Sequence, residues 1–370
     1  MATHTFSFPT TIVFGPGAVG QLPAELEKRG MRRPLVVTDA GLARTPVIGR
    51  IRALLPAAPL FVDVDPNPTE KNVLDGVAFY EAHGCDSLVG VGGGSPIDAA
   101  KAIRLKVTHK LDLSEYDDNI DGGAKIASNV PPYIAIPTTA GTGSEVGRSA
   151  VITISRTNRK TVIFSPWLIP SLAIDDPELT VDMPRHITAG TGMDAFTHNV
   201  EAYLSKGFQP ICDAIALGGA RLASDNLPRV MSNPGDLEAR GNMLIASMMG
   251  AIAFQKGLGA THSLAHPLSS EFRMHHGTSN AVLLPAVLEY NRESVPDRFA
   301  RLEQELGSDP IDRVRELNRI CEILERLRDY GIPEDALPSL AAKASEDGCH
   351  LLNPRPCSRE DLLALYRAAW

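Results

Sequence analysis

The sequence predicts an α/β half followed by an all-α half: a doubly wound parallel-sheet nucleotide domain over residues 1–180, then a helical metal-binding domain over 181–370. Three observations carry this. Short apolar runs alternate with helical stretches up to DPELT (176–180), as βαβ units do. Beyond that point apolar residues recur at helical spacing and few β-rich runs remain. Glycine-rich turns follow strands in the first half, and histidines gather in the second.

Residues 5–14 alternate apolar and polar with β-branched residues, then meet Gly15-Pro16-Gly17, which reads as strand and turn. PLVVTD (34–39), APLFVDV (58–64), SLVGVGGG (87–94) and YIAIPTT (133–139) each read as a buried parallel strand. Helices are expected between them, over 69–83 and 95–106. In the second half, helical periodicity covers 187–204, 210–227, 236–254, 258–270, 278–290, 295–305, 311–330 and 359–369. No internal repeat or low-complexity segment is visible.

At 370 residues, both halves are large enough to bury a core. The net charge of −8 argues against a nucleic-acid partner, which favours a basic surface. Five cysteines form an odd set with no CxxC pair, which suits a reducing compartment. The N-terminus does not read as a signal peptide, and no run of 18 apolar residues suggests a membrane span. A cytoplasmic protein acting on a small molecule is the expectation.

GVGGGSPIDAAKAI (90–103) follows a predicted strand and opens a predicted helix. Ser95 reads as its N-cap, Pro96 as its first helical residue, and Asp98 falls three after the cap. Glycines let a phosphate approach the backbone, and a helix N-terminus supplies N–H groups and positive dipole. The alternative is a capped helix after a glycine-rich turn, and the run lacks the GxGxxG fingerprint. PTTAGTGSE (137–145) is a second candidate phosphate loop, with hydroxyls from Thr138, Thr139, Thr142 and Ser144; the competing reading is a polar connection. Asp39 ends a strand, where an acidic residue can accept from ribose hydroxyls and repel a 2′-phosphate, favouring NAD. It can equally cap the next segment.

Asp194 and His198 are four apart, so on a helix they share a face and form a two-pronged clamp. His262 with His276 could complete it, although spacing alone does not choose among His262, His266, His275 and His276. One carboxylate with three imidazoles suits Fe2+ or Zn2+. Such an ion is a Lewis acid toward an alcohol or carbonyl oxygen, while hydride passes directly between carbon and nicotinamide. His83, His109 and His186 read instead as hydrogen-bonded structural residues.

The chain resembles the iron-containing (group III) alcohol dehydrogenase family over nearly its whole length. The resemblance rests on FGPGA (14–18), NPT (67–69), GGGSPIDAAKAI (92–103), IPTTAGTGSEV (136–146), DPELT (176–180), GMDAFTHNVEAYL (192–204), GLGATHSLAHPL (257–268) and HHGTSNAVLLP (275–285). It implies metal ligands Asp194, His198, His262 and His276. It implies that His266 lies beside nicotinamide and metal without ligating, and that His275 supports structure. Cofactor contacts would come from Asp39, Asn67, Gly94, Ser95, Thr138, Thr139, Thr142, Ser149 and Lys160. It further implies an active site between a nucleotide and a helical domain, iron (zinc in some members), and a homodimer or larger homo-oligomer.

One departure is informative. Where many members continue SEVT, this chain reads SEVGRSAVIT, with Arg148 and Ser149. With AFQKGLG (253–259) and FSPWLIP (164–170), this is most similar to the bacterial 4-hydroxybutyrate dehydrogenases of the family. Arg148 would then bind the distant carboxylate of an ω-hydroxy acid through paired hydrogen bonds; alternatively it points to solvent or pairs with a carboxylate such as Glu145. The expected activity is an NAD-linked, metal-dependent alcohol dehydrogenase. The alternatives are a hydroxyacid–oxoacid transhydrogenase, a maleylacetate reductase or a related cyclase.

Overall fold

The structure, a computed structural model, describes residue 8, residues 10–156 and residues 159–370. The chain forms two compact units. One comprises Phe8–Thr139 with Ser144–Val181, the other Ala140–Gly143 with Asp182–Trp370.

The first unit contains β1 (Thr11–Phe14), α1 (Leu22–Lys28), β2 (Pro34–Val37), α2 (Pro46–Leu54), β3 (Leu60–Phe61), α3 (Glu70–Ala82), β4 (Ser87–Gly92), α4 (Gly94–Thr108), β5 (Tyr133–Pro137), β6 (Ser149–Ile154), β7 (Arg159–Phe164) and β8 (Leu172–Asp175). Six strands form a parallel sheet in the order β1-β8-β5-β4-β2-β3. Successive residues point to opposite faces, and both faces are apolar. Leu35, Val37, Leu88, Tyr133 and Ala135 meet Ile97 and Ile103 of α4 on one side. Val36, Val89, Val91, Ile134 and Ile136 meet Leu22 and Leu26 of α1 and Ile48 and Ile51 of α2 on the other. The sheet is doubly wound. The chain passes from β2 outward to β3, then returns to β4 on the other side of β2, so the strand order reverses between β2 and β4. Doubly wound sheets bind ligands beyond the carboxyl ends of such strands.

Three details differ from the sequence reading. The run at 58–64 yields only the two-residue edge strand β3. Ser95 does not cap α4: the helix begins at Gly94 with Gly93 at the cap, and Ser95 Oγ donates to the Pro66 carbonyl at 2.6 Å. The antiparallel hairpin β6–β7 was not anticipated. It draws Asp98 away from any capping role, since Asp98 Oδ2 accepts from Val151 N of β6 at 3.0 Å and Oδ1 from Ser144 Oγ.

The second unit contains α5 (Arg185–Leu204), α6 (Pro210–Ser232), α7 (Leu237–Ala253), α8 (Ala260–Phe272), α9 (His276–Asn291), α10 (Pro296–Leu306), α11 (Pro310–Ile320), α12 (Leu337–Ala344) and α13 (Arg359–Ala369). α5 runs through the middle, touching α6, α7 and α9. It buries Asp194, Thr197, His198, Asn199 and Glu201 along with its apolar residues, an unusual polar load for a core helix. The helix expected over 311–330 stops at Ile320. Cys321 N and Ile323 N bond back to Leu317 and Asn318, with Glu322 left-handed at φ 57°, a glycine-type C-terminal stop made without glycine. α12 was not foreseen. Among the described residues, no single helix is long and apolar enough to cross a membrane.

Candidate metal centre and nucleotide loops

α5 presents Asp194, His198 and Glu201 at positions i, i+4 and i+7, one face of the helix. α8 adds His262 and His266, again four apart, and α9 opens on His276. Nε2 of His198, His262 and His276 lie 3.9, 3.9 and 3.6 Å from Asp194 Oδ1. Asp194, His262 and His276 form the tighter trio, their donor atoms all within 4.8 Å of one another. The His198 ring stacks on His262 at 4.7 Å. Four bonds of about 2.0–2.2 Å in a tetrahedron imply donor–donor edges of about 3.3–3.6 Å. The His276 distance falls at the top of that range and the His198 and His262 distances exceed it by a few tenths of an ångström. Asp194, His262 and His276 are thus the part of the set that fits one divalent ion as it stands, with His198 beside them.

The other ring nitrogens of His198, His262 and His266 are occupied in a way that leaves Nε2 to the centre. His198 Nδ1 lies 3.3 Å from the Gly141 carbonyl, so its tautomer carries the proton on Nδ1. His262 Nδ1 meets Glu201 Oε2 at 2.7 Å, and His266 Nδ1 meets Asp347 Oδ2 at 2.7 Å. Asp347 Oδ1 also accepts from Ser263 Oγ and Cys349 N. His266 stacks on His276, with ring centroids 5.3 Å apart. His275 caps α9, its Nδ1 accepting from Thr278 N at 3.4 Å.

Burial acts to raise the Asp194 carboxyl, but His198, His276 and His262 outweigh it and hold it at about 2. Burial pulls His198 down to about 4, so it is neutral and its lone pair available near pH 7. Burial also opposes the charge on Glu201 and Asp347, yet the bonds to His262 and His266 keep both below the ordinary carboxylate range. Glu201, Asn280 and Asp347 were missed by the sequence reading. Glu201 and Asn280 had local signals, lying seven residues after Asp194 and four after His276 on shared helical faces, whereas Asp347 had none.

In the sheet unit the two glycine- and threonine-containing loops are neighbours. Thr138 N donates to the Gly92 carbonyl at 2.9 Å, and a Cβ at Gly93 would lie 3.2 Å from Thr139 Oγ1. Gly92 adopts φ 152°, and a side chain there would strike Pro96. Gly94 and Ser95 form the first turn of α4, leaving its leading N–H groups at the end of β4. Asn67 belongs to the adjoining loop, tied down by Ser95 on Pro66 and by Thr153 N on the Pro68 carbonyl. Lys160 pairs with Thr153 across the hairpin; burial depresses its ammonium pKa, with Asp98 opposing. Asp39 follows β2, and its Oδ1 accepts from Gly41 N and Leu42 N at 2.9 Å each, so that oxygen caps the next turn.

Thr142 belongs to the short stretch that joins the helical unit. The carbonyl of Ser149 accepts from the buried Lys101 at 2.7 Å. Arg148 is half-buried with its guanidinium 5.0 Å from the Phe164 ring centre. It neither points freely to solvent nor pairs with Glu145; burial alone lowers its pKa, and among the described residues no carboxylate offsets this.

Residues 9–177 match the profile of iron-containing alcohol dehydrogenases, and residues 188–370 that of the C-terminal part of the Fe-containing alcohol dehydrogenase family. The chain is 41% identical over 360 residues to a 4-hydroxybutyrate dehydrogenase of Cupriavidus necator, covering 93% of this chain and 94% of that one. A crystal structure of 1,3-propanediol oxidoreductase superposes with a TM-score of 0.94 at 36% identity, covering 99% and 100%. A sulfoacetaldehyde reductase of Bifidobacterium kashiwanohense, solved with NAD+, superposes with a TM-score of 0.92 at 28% identity, covering 100% and 99%. The chain belongs to the iron-containing alcohol dehydrogenase family and is an oxidoreductase.

Proposed function

We propose that this enzyme interconverts a primary alcohol and its aldehyde with NAD, by direct hydride transfer, and that its preferred alcohol is a short ω-hydroxy acid such as 4-hydroxybutyrate. The observation that carries the reading is the convergence of Asp194, His198, His262 and His276, one carboxylate and three neutral-capable imidazoles, with His266 stacked beside them.

These four residues would hold Fe2+, with Zn2+ as the other fitting ion, and the bound ion would supply Lewis acidity toward the substrate oxygen. His266, whose Nδ1 is held by Asp347, keeps Nε2 as the nitrogen that exchanges a proton. The first turn of α4 at Gly94 and Ser95 would take the NAD pyrophosphate, with Thr138, Thr139 and Thr142 contributing hydroxyls. Asn67, Ser149 and Lys160 would complete the cofactor contacts. Asp39 would favour an unphosphorylated ribose. Arg148 would receive the far carboxylate; the lack of an ion-pair partner among the described residues supports this. The name of the 41%-identical relative, 4-hydroxybutyrate dehydrogenase, points the same way.

The test is a spectrophotometric screen of NAD+ and NADP+ against short alcohols, diols and ω-hydroxy acids, with metal added or chelated. Net NADH formation from 4-hydroxybutyrate without an oxoacid, abolished by chelation, is expected. Turnover only with an oxoacid acceptor would establish a transhydrogenase instead, and faster turnover of neutral alcohols would remove the ω-hydroxy acid assignment.

A further inference from the structure

The N-terminus of α8 is built without a local cap. Gly259 at the cap position offers no side chain, and the first turn of a helix leaves its N–H groups without intrahelical partners. Two distant side chains fill this need. Glu201 Oε1 accepts from Thr261 N at 2.7 Å, while Oε2 accepts from Gly259 N at 3.1 Å and His262 N at 3.3 Å. Asn353 Oδ1 accepts from Ala260 N at 3.2 Å. A Cβ at Gly259 would lie 2.8 Å from Glu201 Oε1 and 2.9 Å from Asn353 Oδ1, so both reach the turn only because residue 259 is glycine.

Glu201 does something Asn353 does not. The oxygen that accepts from the His262 backbone also meets His262 Nδ1 at 2.7 Å. One carboxylate therefore fixes both where His262 sits and how its ring is turned. The ring proton is held on Nδ1, so the Nε2 lone pair faces Asp194 Oδ1. Glu201 is buried, as is His262, so water does not replace this bond. Its negative charge also lies against the positive end of the α8 dipole.

We propose that Glu201 is a positioning residue that sets the affinity of the metal centre through the tautomer and orientation of His262. The inference rests on the metal reading above. A carboxylate behind a ligating imidazole typically strengthens metal binding by about 10- to 100-fold. In Glu201→Gln, one amide group must replace a carboxylate oxygen. The side chain can still accept from the α8 backbone through its remaining oxygen, but a donor and an acceptor now compete for the Oε2 position facing Nδ1–H. Asn353→Ala removes support from the same helical turn without touching the imidazole, so it separates capping from ring orientation.

The test measures Zn2+ and Co2+ dissociation constants of the full-length protein against a chromophoric chelator, with the melting temperature of the metal-free form recorded alongside. Glu201→Gln should weaken metal binding by about 10- to 100-fold, whereas Asn353→Ala should lower the melting temperature and leave the dissociation constant within about threefold. Equal weakening in both variants, or no weakening in Glu201→Gln, overturns the proposal. A wild-type protein that binds neither ion stoichiometrically overturns the metal reading itself. Should Glu201→Gln not fold, imidazole 15N NMR of metal-free wild type decides, with the His262 signal assigned by its loss in His262→Gln. A proton on Nδ1 is expected, and a proton on Nε2 alone refutes the proposal.

Discussion

The side-chain nitrogen of Asn280 lies 2.8 Å from Oδ1 of Asp194 and joins α9 to α5 across the donor cluster. The same nitrogen is 3.3 Å from Nε2 of both His262 and His276. It follows His276 by four residues and so shares its helical face. A neutral donor here balances the buried carboxylate without adding a competing charge. The cluster is therefore braced on three helices.

That bracing shapes the response to losing a ligand. His262→Ala and His276→Ala should each abolish bound metal and alcohol oxidation while far-UV circular dichroism stays near wild type. His275→Ala should keep its metal and lose roughly 0.5–2 kcal/mol of stability as a lost helix cap. Elemental analysis of the purified proteins checks all three. Full metal content in both ligand variants would remove these residues from the centre.

Asp39 has two duties that substitution can separate. Its Oδ1 accepts from Gly41 N and Leu42 N, a turn an amide oxygen can also hold. Asp39→Asn should therefore keep the melting temperature but raise the kcat/KM ratio of NADP+ to NAD+. A wild-type preference for NADP+ would show that Asp39 does not repel a 2′-phosphate.

Loss of the Arg148 guanidinium should be felt only by an anionic substrate. A charge-assisted hydrogen bond contributes on the order of 1.5–3 kcal/mol, so Arg148→Ala should cost roughly 10- to 150-fold in kcat/KM for 4-hydroxybutyrate. The effect on 1-butanol should be much smaller. Equal losses on the two alcohols would assign Arg148 a structural role over Phe164.

A buried carboxyl group, Glu145, should contribute a fall in stability as pH rises from weakly acidic to neutral, against the opposite contribution of His198, which burial holds at about 4. Burial raises Glu145 from 4.5 to about 7, against the pull of a backbone hydrogen bond and Lys101. Between those values the native protein retains a proton that the unfolded chain has released, so increasing pH favours unfolding. Burial raises Asp175 as well, with Glu145 adding to it, and the sign is the same. Glu145→Gln should remove this contribution, so the stability of the variant relative to wild type should rise with pH in urea denaturation between pH 5 and 8. An unchanged slope would locate it elsewhere.

The legible parts of this protein were those encoded over short distances. Asp194 and His198 announce themselves by a four-residue spacing, and the strands β2, β4 and β5 by apolar runs. Choosing His262 and His276 over their histidine neighbours needed the family resemblance, because spacing alone was neutral. Ser95 misled because serine before proline is a common cap signature, whereas Gly93 took that place and left Ser95 to bind Pro66. Asp347 reaches His266 from 81 positions away, and no local pattern predicts such a partner. The end of α11 was hidden because Glu322, not glycine, adopts the left-handed conformation.

The two acceptors at the head of α8 impose an order on biosynthesis. Glu201 is translated well before His262, but Asp347 and Asn353 follow their partners His266 and Ala260 by 81 and 93 positions. Elongation at about 5–20 residues per second leaves the earlier helices waiting for several seconds. During that interval α8 has one of its two long-range acceptors, and His266 has no carboxylate. The pocket is thus finished by a segment made well after its ligands, and a prematurely terminated product lacking residues 347–353 would have the proposed metal ligands without the shell that arranges them.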